Sequence, residues 1–173
     1  MNNQTVNLLA THMDEAYQTL RQRLNGLSDA EFLWEPVPGC WSLLPDVSGR
    51  WVVDYITPDP EPPPFTTIGW RIVHVATCKV MYYEYAFCPA KLTWDTLDYP
   101  HTAESAVALL EEDHSRFKLV INKLNDMDLE SFRLTNWGET WPTWRIFWTM
   151  IFHDLVHGGE IACLGDLYRE LNA

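Results

Sequence analysis

Positive charge is scarce in this chain. Its 173 residues hold 12 Lys and Arg against 24 Asp and Glu, a formal net charge of −12. A surface of that sign repels phosphate backbones and anionic membranes, so nucleic acid and the bilayer are poor partners. Long apolar runs are also missing: Arg145, His153 and Asp154 break the nearest approach to the ~18 uninterrupted apolar residues of a membrane span. The opening Met1-Asn2-Asn3-Gln4 has neither the positive n-region nor the apolar core of a secretory signal, which predicts a cytoplasmic protein. Cysteine is sparse and unpaired in spacing. Cys40, Cys78, Cys88 and Cys163 form no C-x-x-C motif, so a zinc ribbon and a thioredoxin-type pair are excluded and reduced thiols are expected. Cys78, four residues after His74, reads as a small core residue.

Apolar and aromatic side chains are plentiful instead, at 47% hydrophobic with nine tryptophans. A chain of this length buries well over half of its unfolded surface around one core. Residues 1–173 are therefore expected to form a single domain, with aromatic-rich packing or an aromatic-lined pocket.

Helical periodicity organises most of the chain. Val6, Leu9, Met13, Tyr17, Leu20, Leu24 and Leu27 recur at steps of three and four, an amphipathic first helix that Gly26 closes. Ser28-Asp29-Ala30-Glu31 has the spacing of a capping box and predicts a helical turn before Pro36, Pro38 and Gly39. The proline-rich stretch from residue 36 to 66 reads as an irregular insertion, its β-prone run Arg50–Ile56 giving a brief strand or hairpin. Loops this long are usually functional, as lids or contacts, or else ordered packing insertions.

A second helix, capped by Thr66 or Thr67, runs from Ile68 to Tyr83 and is apolar on most sides, which places it at the centre of a bundle. A third follows Thr102 with the stripe Ala103, Val107, Leu110, His114, Phe117, Ile121 and Leu124. The fourth starts near Thr140, with Pro142 in its first turn, and reaches about Leu171. Gly158-Gly159 interrupts it in mid-course, implying close approach of another helix or space kept clear.

The chemistry concentrates on histidine. His153 and His157 stand four apart on one helical face, so their imidazoles can converge on one ion. His74 shares its face with Trp70, Cys78 and Met81, points inward, and is expected to have little route to solvent. Three protein nitrogens leave a metal one open position, the arrangement of catalytic zinc. The competing reading is of core histidines bonded to carbonyls. His114 is the rival third ligand, but the charged residues around it predict a more exposed boundary position. Glu160, beside His157, reads as a proton acceptor, a partner orienting the histidine, or a solvated or ion-paired group.

The run Ile68-Gly69-Trp70-Arg71-Ile72-Val73-His74-Val75-Ala76, followed by His153-Asp154-Leu155-Val156-His157-Gly158-Gly159-Glu160-Ile161, resembles the DinB-like superfamily of metalloenzymes. The amphipathic first helix and the segment from Gly26-Leu27-Ser28 to Pro38-Gly39-Cys40-Trp41-Ser42-Leu43 share the likeness, which covers nearly the whole chain. The resemblance implies an all-α, up-down-down-up four-helix bundle in which His74, His153 and His157 hold a divalent metal, zinc first, with nickel or iron as alternatives. It further implies a homodimer and a transferase or isomerase that uses mycothiol or bacillithiol on a small electrophile. Bound zinc favours thiolate over thiol, which suits that chemistry. The same open position activates water, so a metal-dependent hydrolase stays open, as does a non-catalytic bundle serving protein contact. The 36–66 insertion departs from the family pattern and leaves the substrate undefined.

Overall fold

In the computed structural model, residues 3–58 and 60–172 are described. Met1 and Asn2, half of the stretch read against a secretory signal, lie outside them, as do Asp59 and Ala173. Four long helices make the body: α1 (Gln4–Arg23), α3 (Ile68–Phe87), α4 (Ala103–Ile121) and α5 (Thr143–Leu171). The short α2 (Asp29–Phe32) and two small hairpins, β1 (Leu43–Pro45) with β2 (Trp51–Val53) and β3 (Phe132–Leu134) with β4 (Thr140–Pro142), complete the regular structure, alongside 3-10 turns at Trp94–Thr96 and Asp128–Glu130. Among the described residues no helix is long and apolar enough to cross a membrane.

Local chemistry sets the helix ends. Ser28 and Thr67 each accept from a backbone N–H three residues on, at 3.2 and 3.1 Å, and Thr102 accepts from Ser105 N at 3.2 Å. These bonds use donors that the first turn leaves unpaired. At the start of α1 the cap comes from far away: the Asp126 carboxylate accepts from Thr5 N and Val6 N at 3.3 and 3.0 Å. Gly26, at φ +75°, ends α1 in the left-handed region that favours glycine. Gly69 serves packing instead, since a Cβ there would stand 2.8 Å from Phe32 O, where α2 lies on α3.

Contacts along the helices give their directions. Leu20 lies against Gly158, while Val6 shares its core cluster with Ile146 and Met150, so α1 and α5 run parallel. Phe87, at the end of α3, meets Phe147, at the start of α5, and the histidines pair further along, so these two are antiparallel. Tyr83 and Phe87 stack their edges on Phe117, placing α4 parallel to α3. The result is an up-down-down-up bundle, as the resemblance implies. Its core falls into two apolar clusters, one around Leu20, Phe32, Ile72, Leu110 and Ile161, the other around Met13, Tyr82, Phe117, Phe147 and Met150. Between them, at one level on all four helices, lies a polar layer containing Asp14, Lys79, Asp113, His114 and Asp154.

Two features differ from the sequence reading. The fourth helix begins at Thr143, because Thr140–Pro142 pairs as a strand with Phe132–Leu134 around a turn containing Gly138 at φ +78°. Pro142 is accordingly the N-cap, not a first-turn residue. The glycine pair is not a tight crossing: a Cβ on Gly158 would meet Leu20 at an ordinary 3.5 Å, and one on Gly159 would meet nothing within 4 Å. The 36–66 insertion carries the expected brief hairpin, in register Leu43↔Val53. It is stitched to α3 by Trp41 N donating to Phe65 O, Thr67 N to Trp41 O and Trp70 Nε1 to Asp54 O, all at 2.8–2.9 Å.

A candidate metal centre at the end of a cavity

Helix α3 contributes His74 and helix α5 contributes His153 and His157 to one cluster. The ring centroids are 5.6 Å apart for His74 and His153, 5.0 Å for His74 and His157, and 5.7 Å for His153 and His157. The antiparallel crossing produces this: one turn of α3 faces the i,i+4 pair of α5. His74 is held flat against Trp70, centroids 4.9 Å apart and planes 8° apart.

Each imidazole is neutral at neutral pH, mainly through burial. Burial pushes His74 down from 6.5 to about 3 and His153 to about 4, with the neighbouring histidines adding to both shifts. His157 is also lowered by burial, though Glu160 opposes. Its Nδ1 lies 2.6 Å from Glu160 Oε2, and Arg71 donates a short hydrogen bond to the same oxygen. A carboxylate only accepts, so Nδ1 carries the proton and Nε2 keeps its lone pair. Glu160 thus has the orienting, ion-paired role among the readings open to it. A carboxylate behind an imidazole in this way is the common support of a metal-bound histidine.

Cys78 enters the site, which corrects its reading as a bystander in the core. Its Sγ lies 3.9 and 3.8 Å from the two ring nitrogens of His74, one turn along the same face. The donor atoms of His74, Cys78 and His153 all lie within 4.8 Å of one another, a set able to hold a metal ion. His157 is not in that set. Burial pushes the Cys78 thiol up to about 12, against the pull of Lys79, so it is a thiol rather than a thiolate in the metal-free chain.

His114 is elsewhere. It is buried rather than at a boundary, stacked on Tyr17 with centroids 3.8 Å apart and hydrogen-bonded through Nε2 to Asp14 at 3.0 Å. The charged residues near it lie mostly on the other faces of α4, which made its own face look wetter than it is. Sequence reasoning also missed the ion pair beneath the histidines. Lys79 Nζ donates to both Asp154 oxygens at 2.6 Å, with the side chains 2% and 0% exposed. The signal was there, because Asp154 follows His153 directly and Lys79 follows Cys78.

The cluster does have a way out, contrary to the expectation for His74. His74 and Cys78 line a cavity of about 640 Å³ walled by the insertion, the 93–99 segment and Trp137 of the β3–β4 turn. Volumes of this order suit a small organic ligand.

Comparison with known proteins agrees with the architecture. The sequence pattern of the DinB superfamily matches residues 12–161. A solved structure of a DinB-like protein from Bacillus cereus ATCC 10987 superposes with a TM-score of 0.56 at 14% identity, covering 88% of this chain and 85% of that one. No curated protein matches the chain.

Proposed function

Because the chain belongs to the DinB superfamily, we propose that it is a metal-dependent enzyme whose divalent ion is held by His74, His153 and His157. Zinc is the first choice, with nickel or iron as alternatives, and His74 would bring the ion to the end of the cavity it lines. The observation that carries this reading is the meeting of three neutral imidazoles from two helices. Their donor chemistry fits such an ion. His153 Nδ1 is buried without a hydrogen-bond partner, a costly state in an apolar core that ligation would relieve.

When bound, the ion supplies stabilisation of a thiolate over its thiol, which suits transfer or isomerisation of a small electrophile with a low-molecular-weight thiol such as mycothiol or bacillithiol. The chain's own residues prepare the place for it. Glu160 fixes the tautomer of His157, Arg71 holds Glu160, and Trp70 fixes the plane of His74.

A second ligand set has its own support: Cys78 lies closer to the pair His74 and His153 than does His157. The three-histidine set is preferred because Glu160 already presents the His157 lone pair, whereas Cys78 must first lose a strongly held proton. Comparing zinc affinity of Cys78→Ala with that of His157→Ala separates them: a larger loss in Cys78→Ala gives the place to sulfur.

The thiol part has an independent test. Ligand binding to the folded state at one hundred times Kd stabilises by ~2.7 kcal/mol, about 5–10 °C in Tm for a chain of this size. Mycothiol or bacillithiol is expected to produce that rise in zinc-loaded protein. No rise with either thiol, together with turnover of simple esters or amides, contradicts thiol use and favours hydrolysis.

A further inference from the structure

Aromatic rings make up much of the cavity's wall. Val53 and Tyr55 come from the insertion, Trp70 from α3, Trp94 and Tyr99 from the 93–99 segment and Trp137 from the second hairpin. Their polar handles are largely spent on the protein itself. Trp70 Nε1 donates to Asp54 O at 2.8 Å, Tyr99 Oη to Trp94 O at 3.0 Å, and Trp137 Nε1 to Tyr82 Oη at 3.0 Å. Threonines stand among the rings, and the hydroxyls of Thr77 and Thr93 are likewise turned to the protein, Thr77 Oγ1 donating to Val73 O at 2.7 Å and Thr93 Oγ1 to Thr96 Oγ1 at 3.3 Å. The lining carries one cation and one anion, Arg50 and Asp95, both exposed at the mouth. Arg50 Nη2 is committed to two backbone carbonyls, Asp95 O at 2.6 Å and Leu97 O at 2.7 Å. Among the described residues, no side-chain cation therefore stands deep in the cavity to receive an anionic group.

Two of the aromatic walls are poorly covered. Tyr55, tilted against Trp41 with centroids 5.8 Å apart, is 53% exposed and Trp137 is 55% exposed, while Trp70 beside His74 is 9% exposed. Large rings left in water beside an apolar cavity gain most when something flat covers them. We propose that the side chains of the cavity favour a neutral, planar apolar group, an aromatic or heteroaromatic ring carried by the substrate, over an anion of the same shape. This rests on the histidine cluster as the reacting centre, since the cavity ends on His74 and Cys78. The 36–66 insertion is then the specificity element, because it supplies Tyr55 and Val53 and anchors the indole of Trp70.

Direct binding tests the assignment without any turnover. The probes are 1-naphthalenemethanol (planar and neutral), 1-naphthoate (planar and anionic) and decahydronaphthalenemethanol (neutral, not planar). Each is titrated into the full chain with excess chelator, by calorimetry and tryptophan fluorescence, so that a carboxylate gains nothing from a metal. The neutral planar probe is expected to bind, with the anion weaker by about ten-fold or more because its charge finds no partner inside. The saturated probe loses the stacking, and Tyr55→Leu and Trp137→Leu each weaken the planar probe about five-fold, the scale of one ring contact. Both side chains are more than half exposed, and because Trp137 also holds the second hairpin through Tyr82, Trp137→Phe, which keeps a ring and loses that bond, is the control and is expected to retain most of the affinity. Naphthoate binding as well as the alcohol, equal binding of the saturated probe, or two variants without effect overturns the proposal. Repeating the series after zinc addition separates it from the metal reading: selectivity without zinc uptake sinks the metal and leaves the ring preference standing.

Discussion

Glu160 shows how much one side chain decides here. Its carboxylate fixes which nitrogen of His157 bears the proton and is itself held by Arg71. Glu160→Gln keeps the shape but removes the charge that orders this chain. It is expected to weaken zinc binding 10–100-fold, the usual effect of losing such a partner, with the far-ultraviolet circular dichroism unchanged. Wild-type affinity in a competitive chelator titration would remove the orienting role. Acid stability follows from the same residues. His74, held at about 3, and His153 and His114, held at about 4, titrate in the unfolded chain near 6.5. Between those values the unfolded chain binds more protons, so the metal-free protein keeps its stability above about 6.5 and loses it as pH falls toward 4. Asp113, which burial raises to about 6, and Asp154, which burial also raises, act in the opposite sense, but His157, lowered by burial, joins the other three histidines against them. Urea midpoints in chelator should fall steadily from pH 7 to 4.5, and a flat or rising series contradicts the assignment. His74, His153 and His157 were legible as residues because spacing puts the last two on one face and apolar context turns the first inward. Cys78 was not, because a buried thiol and a ligand look alike until distances are known.

Among the elements, α3 and α5 carry the site, and the pair Lys79–Asp154 ties them directly below it. Burying two charges is costly, and breaking such a pair leaves one charge stranded. Lys79→Met is expected to destabilise the fold by ~3–5 kcal/mol, and the double variant Lys79→Met/Asp154→Leu to recover most of that loss. A single variant as stable as the parent in urea unfolding would show that the pair does not lock the two helices. The long helices were readable from periodicity, and Ser28, Thr67 and Thr102 cap where the sequence suggested. The β3–β4 hairpin was not readable. Its three-residue strands show almost no alternation, and their place is set by pairing and by Trp137 reaching Tyr82. The hairpin matters because it supplies one wall of the cavity.

At the scale of the whole molecule, two apolar clusters enclose a polar layer, and the histidines lie where that layer meets the aromatic cavity. The bundle was legible because four amphipathic or apolar helices in this order match one family pattern along most of the chain. The cavity was not, since it is assembled from the insertion, the 93–99 segment and the second hairpin, which meet only in three dimensions. The insertion also converts a general bundle into a particular one, by turning a cleft above His74 into a lined chamber. The central claim is that this chamber ends in a metal centre, and metal analysis of the purified chain tests it most directly. One divalent ion per chain is expected in the parent protein, with near-total loss in His153→Ala and in His157→Ala that retain their helical circular dichroism. Equal metal content in all three proteins would contradict the account.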